Sequence, residues 1–81
     1  MAKQQKSKVV KRSVEIDDRK TSISLEDAFW TALQDIAALQ NVRPSELIAT
    51  INRHRDHANL SSTIRLYVLN HYRQLGKAAQ K

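Results

Sequence analysis

Few residues in this chain could do covalent or metal chemistry. It has no cysteine and one glycine, which excludes thiolate nucleophiles, zinc–thiolate sites, disulfides and glycine-rich phosphate loops. His54 and His57 stand three apart, a spacing that can offer two metal ligands from one helical face. No third ligand stands nearby, and a solvated polar face pairing with Asp56 explains them, so neither metal nor cofactor is expected. His71 falls among apolar positions and reads as an interface histidine. The carboxylates fit turns and helix starts, and no nucleophile has a base at recognisable spacing, so the expectation is not an enzyme. What remains is charge and hydrogen bonding. Fourteen Lys plus Arg against eight Asp plus Glu give a net charge of +6, which suits a polyanionic partner.

The elements that would position those groups are small. Eighty-one residues form at most one domain, and a core this size normally needs help from a metal, a disulfide or a partner subunit. Without cysteine, oligomerisation is the favoured help. No run is long and apolar enough to span a membrane, and the N-terminus lacks the apolar core of a signal peptide; a cytoplasmic location is expected. Residues 1–8 read as a flexible basic arm, residues 9–76 as the folded domain, and residues 77–81 as a frayed tail.

From Val9 to Leu25 apolar and polar residues alternate about Asp17-Asp18, as in two half-buried strands joined by a tight turn. A two-residue loop sets Glu15 opposite Lys20 and Ser13 opposite Ser22. A four-residue loop preserves the same parity. Either way, Val14, Ile16, Ile23 and Leu25 share one face, and Lys11, Ser13, Glu15, Lys20, Ser22 and Ser24 share the other. The turn lacks Gly or Asn, which leaves two unconnected strands as the alternative.

After Leu25 the period becomes helical. Phe29, Ala32, Leu33, Ile36 and Ala37 stripe a first helix over 26–40, with Ser24 and Asp27 as a potential capping box. Pro44 opens a second helix over 44–55, with Leu47, Ile48 and Ile51 on its apolar side. A third runs from Ser61 or Ser62, as N-cap, to Gly76. Its apolar residues occupy two opposite sectors, Ile64, Tyr67, Val68 and Leu75 on one side and Leu66 and Leu69 on the other. Two short helices cannot cover both sectors, so this helix is expected at the centre of a two-fold homodimer.

A strand followed by a helix, then a later helix opening Asn59-Leu60-Ser61-Ser62-Thr63-Ile64-Arg65, resembles the ribbon-helix-helix superfamily of small bacterial DNA-binding proteins and antitoxins. Arg19-Lys20-Thr21-Ser22-Ile23-Ser24-Leu25 and the following Glu26-Asp27-Ala28-Phe29-Trp30 are especially similar to a subgroup with a strand or hairpin ahead of the ribbon strand. The resemblance implies an α+β, mostly helical fold: an N-terminal strand or hairpin followed by three helices, assembled as a homodimer. The segment 44–55 departs from the usual short turn between two helices; it is either an inserted helix or a rival for the second one.

In that family two protomers each give one strand to an antiparallel ribbon lying in the DNA major groove. The resemblance thus implies a transcriptional regulator that binds double-stranded DNA, with Lys20, Ser22 and Ser24 reading bases. It implies phosphate contacts at the N-terminus of the last helix from Ser61, Ser62 and Arg65, with Lys11 and Arg12 of the basic segment as further contacts. Ile23, Leu25, Ile64, Tyr67, Val68 and Tyr72 are the expected dimer interface. The alternative is an antitoxin-like or adaptor module whose dimer binds another protein, such as a toxin. Glu15 opposite Lys20 would compete with base reading by that lysine.

Overall fold

The computed structural model describes residues 8–54 and 59–79. The expected basic arm, apart from Lys8, lies outside these residues. So do His57, the expected end of the second helix at Arg55, and the last two residues of the expected tail. Strand β1 (Val9–Ile16) pairs antiparallel with β2 (Arg19–Glu26), and helices α1 (Asp27–Leu39), α2 (Pro44–Arg53) and α3 (Leu60–Ala79) follow.

The hairpin closes through two residues. Ile16 faces Arg19, Glu15 faces Lys20, and Ser13 faces Ser22 along eight paired positions. Asp17 and Asp18 both take positive φ, 50° and 66°, the backbone of a type I′ turn. Aspartate tolerates this region at some cost, and the right-handed twist of the flanking strands selects it without a glycine. This settles the choice between a hairpin and separate strands.

Alternation then sorts the side chains. Ile16, Ile23 and Leu25 are buried against the helices, with Val14 half-buried beside them. Leu33, Ile36 and Ala37 of α1, Leu47, Ile48 and Ile51 of α2, and Leu60, Ile64 and Val68 of α3 complete one core. Burying each large apolar side chain contributes on the order of 1.5–3 kcal/mol before entropy is charged against it.

The helix boundaries have local causes. At the end of α1, Asn41 takes φ 60°, and its N–H donates to the Ala38 carbonyl at 3.1 Å while Val42 N–H donates to Ala37 at 3.0 Å. These are the two bonds of a Schellman stop, with half-buried Val42 as its apolar contact. Pro44 then opens α2, and the Glu46 carboxylate accepts from Arg43 N–H at 2.9 Å.

Two expectations about caps are corrected. Asn59, rather than Ser61 or Ser62, caps α3: its Oδ1 accepts from Ser62 N–H at 2.9 Å and its carbonyl from Thr63 N–H at 3.1 Å. Among the described residues no side chain caps α1, whose boundary residue is Glu26, and the Asp27 carboxylate pairs with Arg12. Helix α3 also continues through Gly76 to Ala79.

Candidate nucleic-acid interface

The outer face of the hairpin is a polar ribbon. Lys11, Ser13 and Glu15 of β1 and Lys20 and Ser22 of β2 are exposed, and Ser24 is half-buried. Their cross-strand pairs are Lys11 with Ser24, Ser13 with Ser22, and Glu15 with Lys20. A two-residue turn makes Ile16 and Arg19 exchange backbone bonds, so these outer-face pairs are the non-hydrogen-bonded kind, whose side chains lie closest. Glu15 makes no ion pair with Lys20 among the described residues.

The backbone groups of Lys20, Ser22 and Ser24 therefore point away from β1, along the free edge of β2. At Ser24 that edge meets α3. Ser24 N–H donates to Ser61 Oγ at 2.9 Å, and the Ser24 carbonyl accepts from Arg65 Nη2 at 3.1 Å. Arg65 Nε also donates to Glu26 Oε1 at 2.9 Å. The first turn of α3, where the helix dipole favours anions and Asn59 already accepts from the Ser62 and Thr63 amides, is thereby fastened to the ribbon strand. The Arg65 hydrogen bond, a backbone bond within Glu26 and the nearby positive charge hold the Glu26 carboxyl below its ordinary range.

Arg12 has a different setting from the one expected of a phosphate contact. It shares the parity of Val14 and Ile16 and so lies on the inner face, where its Nη2 pairs with Asp27 Oδ1 at 2.6 Å. Its guanidinium sits 4.8 Å from the centre of the Trp30 ring, a cation–π contact. Arg12 is thus committed to holding β1 on α1.

A family model described as a ribbon-helix-helix domain matches residues 9–72 of the chain. The chain belongs to the ribbon-helix-helix domain family. Ribbon-helix-helix proteins are generally DNA-binding regulators or antitoxins, typically dimeric and non-enzymatic. No curated protein and no solved structure matches the chain significantly.

Set within this ribbon-helix-helix domain, the expected site residues separate into two groups. Lys20, Ser22 and Ser24 stand together on the outer ribbon face with Lys11. Ser61, half-buried Ser62 and Arg65 stand at the start of α3, with Ser61 and Arg65 bonded to β2. The expected interface set is largely internal. Ile23, Leu25, Ile64 and Val68 lie in the protomer's own core, and Tyr67 packs against it with its hydroxyl accepting from Gln40 Nε2 at 3.0 Å. Only Tyr72 is exposed. The other sector of α3 stays uncovered, with Leu66 at 61% and Leu69 at 50% exposure, and Leu75 is exposed as well.

Asn59, whose residue type marks it as a cap, was not among the expected caps, and exposed Ser13 shares the outer face with the expected base-reading residues by parity. His54 Nδ1 donates to the Thr50 carbonyl at 3.0 Å, and no cluster of three potential metal ligands occurs among the described residues. Nor, among them, is any helix long and apolar enough to cross a membrane.

Proposed function

We propose that this ribbon-helix-helix protein is a dimeric DNA-binding regulator that lays the outer face of its β-ribbon in the major groove. The single observation that carries this reading is the bond between Ser24 and Ser61, which couples the polar ribbon to the N-terminus of α3. One rigid unit then presents groups suited to base edges beside a helix end suited to phosphate.

Lys20 can donate to guanine O6 and N7, and the hydroxyls of Ser22 and Ser24 can donate or accept. Lys11 and the first turn of α3 around Ser61 and Ser62 supply phosphate contacts. The dimer forms through the uncovered sector of α3 about Leu66 and Leu69, with Tyr72 and Leu75 exposed further along the helix; leaving four large apolar side chains of one helix in water is otherwise unfavourable. Light scattering on the purified protein, followed by selection of bound duplexes from a random pool, tests the proposal. A dimer enriching a defined sequence supports it; a monomer with no enrichment contradicts it.

The same apolar face favours a second reading, in which it binds another protein as an antitoxin or adaptor. Salt separates the two. Phosphate contacts make affinity fall steeply as salt rises, whereas an apolar protein interface responds weakly.

A further inference from the structure

We infer that two copies of the chain join their β2 strands in one register, with the two-fold axis at Thr21, so that each Lys20 stands opposite the partner's Ser22. The inference rests on the DNA-binding reading and specifies how two protomers build the ribbon that enters the groove.

The free edge of β2 admits few registers. Lys20, Ser22 and Ser24 direct their N–H and C=O groups to that edge, whereas the residues between them spend theirs on β1. Backbone pairs across a two-fold axis must join members of this set. Ser24 is already taken, its N–H by Ser61 Oγ at 2.9 Å and its carbonyl by Arg65 Nη2 at 3.1 Å. Any axis nearer α1 than Thr21 brings Ser24 into pairing and breaks both bonds. An axis at Ser22 would also carry each Lys20 to the partner's Ser24, beside Arg65, where like charges meet. An axis at Lys20 sets two lysines directly opposite each other, which like charge disfavours. It also aligns Ser22 with the partner's Asp18, a turn residue at φ 66° that is not extended. The axis at Thr21 uses Lys20 and Ser22 alone, each pair exchanging both backbone bonds, and leaves Ser24 where it is held.

The helix beside this edge continues the same surface. Ser61 and Arg65, which hold Ser24, share one face of α3 with Leu69 and Tyr72, at i, i+4, i+8 and i+11. Leu69 is 50% and Tyr72 43% exposed. A second copy seated on the β2 edge therefore meets a polar strand edge and an apolar helix face side by side. Covering both supplies the apolar burial that so short a ribbon lacks by itself.

This register decides which groups read together. Each Lys20 lies beside the partner's Ser22 on the outer face, with about 5.5 Å between Cα atoms. An ammonium and a hydroxyl from different chains thus face each half of a symmetric site. The Ser24 side chains stand at the ends of the ribbon, and β1 flanks it on either side with exposed Lys11.

Cysteine scanning tests the register cleanly, because the chain has no cysteine of its own. Lys20→Cys, Thr21→Cys and Ser22→Cys are made singly in the full chain, oxidised, and run on a non-reducing denaturing gel. Thr21→Cys is expected to form a covalent dimer, since its two copies face each other at about 4.5 Å between Cα atoms, within disulfide range. Lys20→Cys and Ser22→Cys are each expected to stay monomeric alone and to bridge when refolded together. Neither of those side chains belongs to the core, so the mixed experiment stands even if Thr21→Cys folds poorly. Bridging of Lys20→Cys alone or Ser22→Cys alone without Thr21→Cys overturns the register, and so does the absence of any bridge.

A duplex selected by the wild-type protein separates this inference from the reading beneath it. The bridged Thr21→Cys dimer is expected to keep the wild-type preference for that duplex over a scrambled one. If bridging abolishes a preference that the reduced form retains, the inference falls and the DNA-binding reading stands. If Thr21→Cys bridges while the wild type prefers no duplex, the register holds and the DNA-binding reading falls.

Discussion

Ser61 of α3 accepts a hydrogen bond from the backbone N–H of Ser24 at 2.9 Å, across 37 residues of sequence. The contact fixes where the ribbon stands relative to the last helix, because Arg65 holds the carbonyl of the same residue one turn further on. Two groups proposed to meet DNA, one through base edges and one through phosphates, are held in a single geometry.

Ser61→Ala leaves the Ser24 N–H without its partner and is expected to lower unfolding free energy by about 1 kcal/mol. Ser61→Thr retains the hydroxyl and should lose less. Urea denaturation of both variants checks this.

Acid should weaken the same junction. The Arg65 hydrogen bond depresses the folded-state pKa of Glu26, so the stabilisation is fully present above the unfolded value of about 4.3. It is lost as pH falls through the lowered folded value. Arg65→Ala should flatten this part of the stability curve, and Glu26→Gln should flatten it equally. Thermal unfolding from pH 6 to pH 2.5, roughly that window, provides the comparison. Solvent screening at this partly exposed pair keeps the effect modest.

The turn offers a stabilising substitution. Both Asp17 and Asp18 sit at positive φ, where a residue with a Cβ carries a cost that glycine avoids. The Asp17→Asn and Asp18→Gly pair is expected to raise stability by roughly 0.5–1 kcal/mol. Unchanged or lowered melting temperature would contradict the turn assignment.

Dimerisation through α3 predicts that Leu66→Ser combined with Leu69→Ser yields a monomer by light scattering, with helix content retained because neither side chain belongs to the core. Ile64→Ala should behave differently. Its side chain is fully buried in the protomer, so truncation costs about 2–5 kcal/mol and unfolds the chain before separating subunits.

Alternation alone made the hairpin and its two faces legible, since a period of two assigns every side chain once one is assigned. The same rule places Arg12 inward with Val14 and Ile16, a consequence obscured by treating it as part of a basic segment. The cap of α3 was ambiguous because Asn59, Ser61 and Ser62 have similar N-cap preference; tertiary structure decides it by spending Ser61 on β2. The two apolar sectors of α3 were visible as well. Which one faces the chain's own core was not, because helical periodicity reports that a face is apolar and carries no information on what covers it. The Ser24–Ser61 bond left no local signal at all.

Direct reading of DNA by the ribbon is tested most sharply by titrating the wild-type protein and its Lys20→Ala and Ser22→Ala variants against a selected duplex, in excess competitor DNA, across a salt series. The account predicts a competitor-resistant wild-type complex whose log affinity falls with log salt at a slope near 0.9 times the phosphates contacted, on the order of six to eight per dimer. Each variant should weaken that complex several-fold while leaving the oligomeric state unchanged. Equal binding to every duplex, or a selected complex indifferent to both substitutions, would contradict it.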